Sequence, residues 1–128
     1  MTAHSTKAHV VRAALESIAY QIRDVLDMME KDAGVSLQSI QADGGAARNS
    51  FLVQFIADMV ERPLNVAQAP DFSPLGAALS GALGSGLYDS LDDIKNLEHA
   101  ATLYQPAMSA ETVEQNYAGW KEAVNRLL

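Results

Sequence analysis

Apolar residues recur at steps of three and four through the first quarter of the chain. This spacing predicts a long amphipathic helix over residues 7–31, because side chains so spaced share one face of an α-helix. No strong capping residue is evident before Lys7, whereas Gly34 is suited to end the helix. The apolar positions of this face are Val11, Ala14, Leu15, Ile18, Ala19, Ile22, Val25, Leu26 and Met29.

The central part of the chain predicts two further helices. Asn49 is suited to cap a helix over residues 49–60, whose apolar face consists of Phe51, Leu52, Phe55, Ile56, Met59 and Val60. Ser73 and Pro74 have the residue types of an N-cap and a first helical position, and predict a helix over residues 74–83. That helix consists mainly of small residues, and we interpret it as packed closely in the core. Gly84 and Gly86 are expected to end it.

Two helices are predicted near the C-terminus. Ser90 is suited to cap a short helix with Asp92 and Asp93 near its positive end. Residues 97–106 look irregular. Ser109 opens the last helix, whose shared face is Val113, Tyr117, Trp120, Val124 and Leu127. We expect Tyr104 and Trp120 to dock this helix on the core, and partner binding by the same face is the alternative.

Two short segments between the helices, residues 37–43 and 64–66, are predicted to be strands. Alternation is weak in the first, and its position between two helices is what favours a strand in a layered arrangement. The predicted fold class is therefore α/β, rich in helix and with a few short strands. A length of 128 residues predicts a single domain over residues 1–128.

The first predicted strand leads directly into Asp43-Gly44-Gly45-Ala46. Two consecutive glycines allow positive φ and leave the main chain open to a ligand. The helix that follows would present unpaired N–H groups and a partial positive charge, which suit a phosphate. We interpret the turn as part of a nucleotide site. A plain tight turn between core elements is the alternative, and a helical scaffold with no strand before Gly44 is a third.

The composition narrows the classes of function. A formal net charge of −7 argues against non-specific binding to nucleic acid or to anionic lipid. The chain has no cysteine, so disulfides and thiolate chemistry are excluded, and this fits a reducing cytoplasm. No apolar run reaches membrane-spanning length. His4, His9 and His99 lack the spacing of a metal site, and we interpret them as surface residues or residues at helix ends. No self-contained catalytic set is present.

Several motifs together resemble a known family. Asp43-Gly44-Gly45-Ala46, then Asn49 and residues 51–58, resemble the C-terminal half of the FGGY carbohydrate kinases, and of the glycerol kinases most closely. The similarity extends over nearly the whole chain, through residues 13–21, 75–78 with Gly81 and Gly84, 104–106 and 117–121. Departures include Ser73-Pro74 where Thr-Ala is common, and Glu61 where glycine is common.

The resemblance implies the actin-like, ribonuclease H-like ATPase fold, in which two domains hold ATP between them. By position, Gly44, Gly45 and Ala46 would lie along the phosphates and ribose, and Asn49 would contact the base. The implied cofactors are ATP and Mg²⁺, and the implied substrate is a small polyol or sugar bound mainly by segments outside this chain.

The family's catalytic residues also belong to earlier segments. We therefore expect this chain to be an inactive piece of a larger cytoplasmic kinase with no nucleic-acid or membrane partner. A non-catalytic interaction or regulatory module of the same fold is the alternative, and self-association stays open.

Overall fold

A computed structural model describes residues 4–68, 72–95, 97 and 100–127. Within these ranges the chain forms five α-helices, three short strands and one 3-10 helix. In chain order the elements are α1 (Lys7–Ala33), β1 (Ile40–Ala42), the 3-10 helix (Gly45–Arg48), α2 (Ser50–Val60), β2 (Leu64–Ala67), α3 (Phe72–Gly84), α4 (Leu91–Lys95), β3 (Ala101–Tyr104) and α5 (Ala110–Asn125).

The three strands form one sheet in the order β1-β2-β3. β1 and β2 are parallel, with Ile40 opposite Leu64, and α2 connects them. β3 is antiparallel to β2, with Ala101 opposite Ala67. The predicted strand over 37–43 is shorter than expected. The irregular interpretation of 97–106 is wrong for β3, because that strand has three exposed residues in a row and forms through backbone pairing rather than apolar alternation.

Helix α2 is the centre of the core. Seven of its eleven residues are buried, including Val53 and Ala57, which lie outside the predicted apolar face. It contacts α1, α5, β2 and β3, so partners cover it on most sides. Phe51 departs from the predicted face, because it is 37% exposed at the first turn and stacks on Phe55.

The ends of α2 differ in how well their residues suit them. The Asn49 side chain accepts a hydrogen bond from the Leu52 N–H at 3.2 Å, so the predicted N-cap is confirmed. Glu61 ends the helix in the left-handed conformation, with φ 53°. A non-glycine residue in that conformation is strained, which explains physically why glycine suits this position.

Helix α1 is confirmed, and it begins more firmly than the sequence suggested. Thr6 caps it: the His9 N–H donates to the Thr6 hydroxyl, and the His9 ring nitrogen accepts from the Thr6 N–H. The expectation of no strong cap before Lys7 was wrong, and His9 is the residue at a helix end that we predicted. Gly34 ends the helix with φ 66°, as expected. Of the predicted apolar face only Ala19 is fully buried.

Helix α5 docks on α1 through aromatic residues. The Asp24 carboxylate accepts hydrogen bonds from the Tyr117 hydroxyl at 2.6 Å and from the Trp120 indole N–H at 2.9 Å. Burial and the hydrogen bond to Asp24 raise the pKa of Tyr117 to about 12. Trp120 also stacks on Tyr20, which confirms it as an anchor. Leu127 does not share this contact, because it is 88% exposed beyond the end of α5.

The α3 region differs from the prediction in two respects. The helix begins at Phe72, so Ser73 and Pro74 lie inside its first turn, where a proline removes no intrahelical hydrogen bond. Its small residues are largely exposed, and a Cβ added at Gly76, Gly81 or Gly84 would meet no atom within 4 Å. The core-packing interpretation is therefore wrong for the part of the chain that the structure describes.

Helix α4 forms as predicted. The Ser90 hydroxyl accepts from the Asp93 N–H, and the Asp93 carboxylate accepts from the Ser90 N–H, so the two residues cap the helix reciprocally. The role of the Asp93 carboxylate is therefore to cap the N-terminus of α4, as predicted. None of the described helices is both long and apolar enough to cross a bilayer.

Candidate functional site

The corner between β1 and α2 has the predicted sequence of strand, sharp turn and helix. β1 ends at Ala42, and Gly44 follows with φ 90° and ψ −179°. Such a backbone conformation is essentially restricted to glycine. The 3-10 helix then begins at Gly45, and its Ala47 N–H donates to the Gly44 carbonyl oxygen at 3.2 Å. Because a strand does enter this turn, the third interpretation, a purely helical scaffold, is excluded.

The main chain at this corner is open. Apart from its own chain neighbours, a Cβ built on Gly44 or on Gly45 would meet no atom of the described residues within 4 Å. Gly44 is therefore required by its conformation and not by packing, whereas neither conformation nor packing within this chain requires Gly45. The predicted site residues Gly44, Gly45, Ala46 and Asn49 are all exposed. A ligand can therefore approach their backbone directly.

The Asn49 side chain has one of its two polar atoms in use. Its Oδ1 caps α2, and its backbone N–H donates to the Ala46 carbonyl oxygen at 3.1 Å. No hydrogen bond to its Nδ2 is found among the described residues. In this geometry the side chain can still donate a hydrogen bond to a ligand through Nδ2.

A groove of about 310 Å³ lies beside the corner. Its walls come from the 3-10 helix region and from the adjoining ends of β2 and β3, and its lining residues are Gly44, Ala47, Arg48, Val66, Ala67, Gln68, Thr102 and Tyr104. The groove therefore lies at the carboxyl ends of the parallel strands β1 and β2, where open α/β sheets bind their ligands. Gly44 is the one predicted site residue that lines it, and Gly45, Ala46 and Asn49 lie on the exposed outside of the same turn.

One wall of the groove is fixed by contacts between β2 and β3. The Gln68 N–H donates to the Ala100 carbonyl oxygen at 2.9 Å, which extends the pairing beyond β2. The Gln68 side-chain amide donates to the Thr102 hydroxyl at 3.3 Å. These two polar side chains thus lie together across the strands and both line the groove.

Among the described residues, the groove has one charged lining residue, Arg48. No carboxylate of the described residues lines it, although the chain as a whole carries a net charge of −7. Its local electrostatics therefore favour a ligand that is negatively charged or rich in electrons.

Sequence reasoning missed Arg48, Gln68 and Thr102 as site residues. Gln68 could have been found, because it follows a predicted strand that is parallel to β1, and such ends meet at one edge of a sheet. Thr102 could not, because its strand was interpreted as irregular.

Where the structure describes them, the other candidate residues form no second site. His9 belongs to the cap of α1, and His99 lies outside the described residues. Among the residues that the structure describes, no group of three histidine, aspartate or glutamate side chains is arranged to hold a metal ion.

Comparison with known proteins is consistent across sequence and structure. The chain matches the FGGY family of carbohydrate kinases, C-terminal domain, over residues 1–85. It is 43% identical over 128 residues to a glycerol kinase of Alkaliphilus oremlandii, and 43% identical over 124 residues to one of Bacillus anthracis. These alignments cover 100% and 97% of this chain but 25% of each relative. The chain thus spans about a quarter of the length of the curated relatives it matches.

Solved structures agree with the sequence relatives. A crystal structure of Plasmodium falciparum glycerol kinase with ADP matches with a TM-score of 0.87 at 31% identity, over 100% of this chain and 26% of that one. A xylulose kinase from Rhodospirillum rubrum matches with a TM-score of 0.77 at 26% identity, over 99% of this chain and 26% of that one. The predicted fold class, a helix-rich fragment of the actin-like ATPase fold, is thereby confirmed.

Proposed function

Because this chain belongs to the FGGY family of carbohydrate kinases and matches its C-terminal domain, we propose that it forms the C-terminal, nucleotide-binding portion of a larger kinase. The whole protein would transfer the γ-phosphoryl group of ATP to a hydroxyl of a small polyol or sugar, as a glycerol kinase does. This portion would form part of the adenosine pocket. The absence of cysteine fits a reducing compartment, and we further propose a cytoplasmic protein.

The nucleotide would lie across the corner that follows β1. In this proposal Gly44, Gly45 and Ala46 run along the phosphates and ribose, and Asn49 donates from Nδ2 to the base. The single observation that carries the proposal is the open main chain at Gly44 and Gly45 beside a groove at the carboxyl ends of two parallel strands. Bare backbone N–H groups at a helix start suit an anion.

The chemical step would be performed by other parts of the kinase. Phosphoryl transfer depends on positioning the reactants and on electrostatic stabilisation of the phosphoryl group by metal and donors. We propose that Mg²⁺ accompanies ATP, and that the metal ligands, the catalytic base and the acceptor-binding residues lie outside these 128 residues. The contribution of this portion is then binding and orientation of the nucleotide.

Uncovered apolar surface supports the proposal that further segments pack here. Val11, Ile18 and Val25 lie along one side of α1 and are 55%, 41% and 55% exposed. A wide groove of about 540 Å³, lined mainly by apolar atoms, runs beside the first turns of this helix and Phe51. β1 pairs on one side only among the described strands. An edge strand and an apolar helix face of this kind are normally covered.

The test is an assay of the full-length protein. ATP, Mg²⁺ and a panel of polyols and sugars are supplied, and release of ADP is measured. We expect ADP with at least one acceptor, and none from the 128-residue chain alone. A folded full-length protein that releases no ADP across the panel would contradict the proposal.

A non-catalytic interaction or regulatory module of the same fold is the second candidate, and the exposed face of α1 is the observation that favours it. Such a module would bind a regulator or a second copy of itself. The length of the gene separates the candidates. A few hundred codons upstream in the same reading frame favour the kinase, whereas a stop codon there favours the module.

A further inference from the structure

Arg48 differs from every other arginine of the chain. The sequence has five arginines, and four of them contact an oxygen within the domain. These contacts join Arg12 to Glu16, Arg23 to Glu114, Arg62 to the Leu37 carbonyl oxygen, and Arg126 to Glu122. Arg48 has no hydrogen bond or ion pair with any residue in the described ranges. In a chain with a net charge of −7, an unpaired guanidinium beside a groove indicates a ligand contact.

Part of the groove wall beside this guanidinium is apolar. Ala47, Val66 and Ala67 present small apolar side chains, and Gln68 and Thr102 satisfy each other on another part of the wall. A groove of about 310 Å³ with small apolar side chains on part of its wall has room for a planar ring. A guanidinium is itself planar and weakly hydrated, and it stacks well on an aromatic face.

The position of Arg48 along the 3-10 helix favours a contact with the base of the nucleotide over a contact with its phosphates. Gly45 begins this helix and Arg48 ends it. A rise of about 2 Å per residue separates them by about 6 Å along the axis, comparable to the width of a ribose. If the phosphates lie at Gly45, as in the proposed function, Arg48 lies at the level of the base, next to Asn49.

We propose that the Arg48 guanidinium stacks on the purine ring of the bound nucleotide and so determines the affinity for it. This inference rests on the proposed nucleotide site. Asn49 would donate a hydrogen bond from Nδ2 to one edge of the ring, whereas Arg48 would stack on its face. The two adjacent side chains then contact the same base in different ways, one at its edge and one on its face.

The experiment uses the full-length protein and titration calorimetry with ADP. Arg48→Ala is expected to weaken ADP binding about 5- to 30-fold, the range for a cation over an aromatic ring in a partly desolvated site. Arg48→Lys keeps the charge without a planar face, and Arg48→Tyr keeps a planar face without the charge. Stacking predicts that the tyrosine variant retains more affinity than the lysine variant.

Arg126→Ala is the matched control, since it removes an equal charge from an exposed arginine whose partner is Glu122 on the same helix end. It should bind ADP as the unmodified protein does. All the variants should melt at nearly the same temperature, because neither arginine is buried.

The outcomes separate this inference from the proposed function. Failure of the unmodified, folded protein to bind ADP would overturn both. Binding by the unmodified protein and equally by Arg48→Ala would overturn the inference alone. Full affinity in Arg48→Lys together with loss in Arg48→Tyr would also overturn stacking, because it would indicate a contact with the phosphates.

Discussion

Gly44 and Gly45, the adjacent glycines between β1 and α2, differ in their backbone conformation, and two alanine substitutions distinguish them. Gly44 has φ 90° and ψ −179°, a region essentially closed to residues with a Cβ. Alanine in this conformation costs about 1–3 kcal/mol of backbone strain. Alanine also has less conformational freedom than glycine in the unfolded chain, and this offsets about 0.4–1 kcal/mol of that cost. No atom lies within 4 Å of the added Cβ, so no clash adds to this cost. Gly44→Ala should therefore destabilise the folded state by about 1.3 kcal/mol, the difference between the midpoints of these two ranges.

Gly45 should respond in the opposite way. Its φ is not positive, and its added Cβ also has no neighbour within 4 Å. Gly45→Ala is therefore expected to leave stability unchanged or to raise it by up to about 1 kcal/mol. A methyl group facing the phosphates would hold the ligand away from the main chain. We expect ADP binding to weaken at least about tenfold, which corresponds to about 1.4 kcal/mol.

Urea unfolding of the full-length protein gives the stability, and titration calorimetry with ADP gives the affinity. Gly119→Ala is the matched control, because Gly119 lies in the middle of α5, outside the groove lining, and its added Cβ also meets nothing within 4 Å. It should stabilise α5 and leave ADP binding unchanged. Wild-type stability of Gly44→Ala would refute the strain argument. Wild-type affinity of Gly45→Ala would refute the placement of the phosphates.

Three further predictions concern single side chains. Asn49→Ser keeps a capping oxygen but lacks the free amide, so ADP binding should weaken while the melting temperature stays near wild type; equal affinity would exclude the base contact. Asp58→Ala should destabilise by about 3 kcal/mol in urea unfolding, because this buried carboxylate accepts from Gln54 and from two backbone N–H groups before α5; a loss below about 1 kcal/mol would contradict this. Tyr117 should ionise near pH 12 when folded and near pH 10 when unfolded, so its contribution to stability is complete below pH 10 and lost as the pH rises towards 12. Tyr117→Phe should abolish this part of the loss of stability at alkaline pH. A variant with the same dependence of stability on pH as the unmodified protein would refute this assignment to Tyr117.

The helices could be predicted from sequence because their signals are local. Steps of three and four define α1, and capping residues such as Asn49 and Ser109 fix where helices begin. The same holds for the turn at Gly44, where two consecutive glycines after a short segment predict a sharp turn. The turn itself indicated Gly44 and Gly45, whereas Ala46 and Asn49 came from the resemblance to the FGGY kinases. The roles of all four residues towards the nucleotide stay predictions.

β3 and the groove could not be predicted in this way. Residues 101–104 carry no apolar alternation, and they become a strand only because the backbone of β2 is there to pair with them. This pairing brings Gln68 and Thr102 together across 34 positions of sequence.

The packing of α3 was misjudged for a related reason. Small residues permit close approach, but whether anything approaches depends on the position of the other elements.

By itself, then, the sequence determined the long helices, the N-caps of α2 and α5 and the glycine corner, because each depends on residues within a few positions of one another. Only the tertiary structure decided which residues line the groove and that Arg48 lacks a partner there, because those facts depend on distances between segments far apart along the chain.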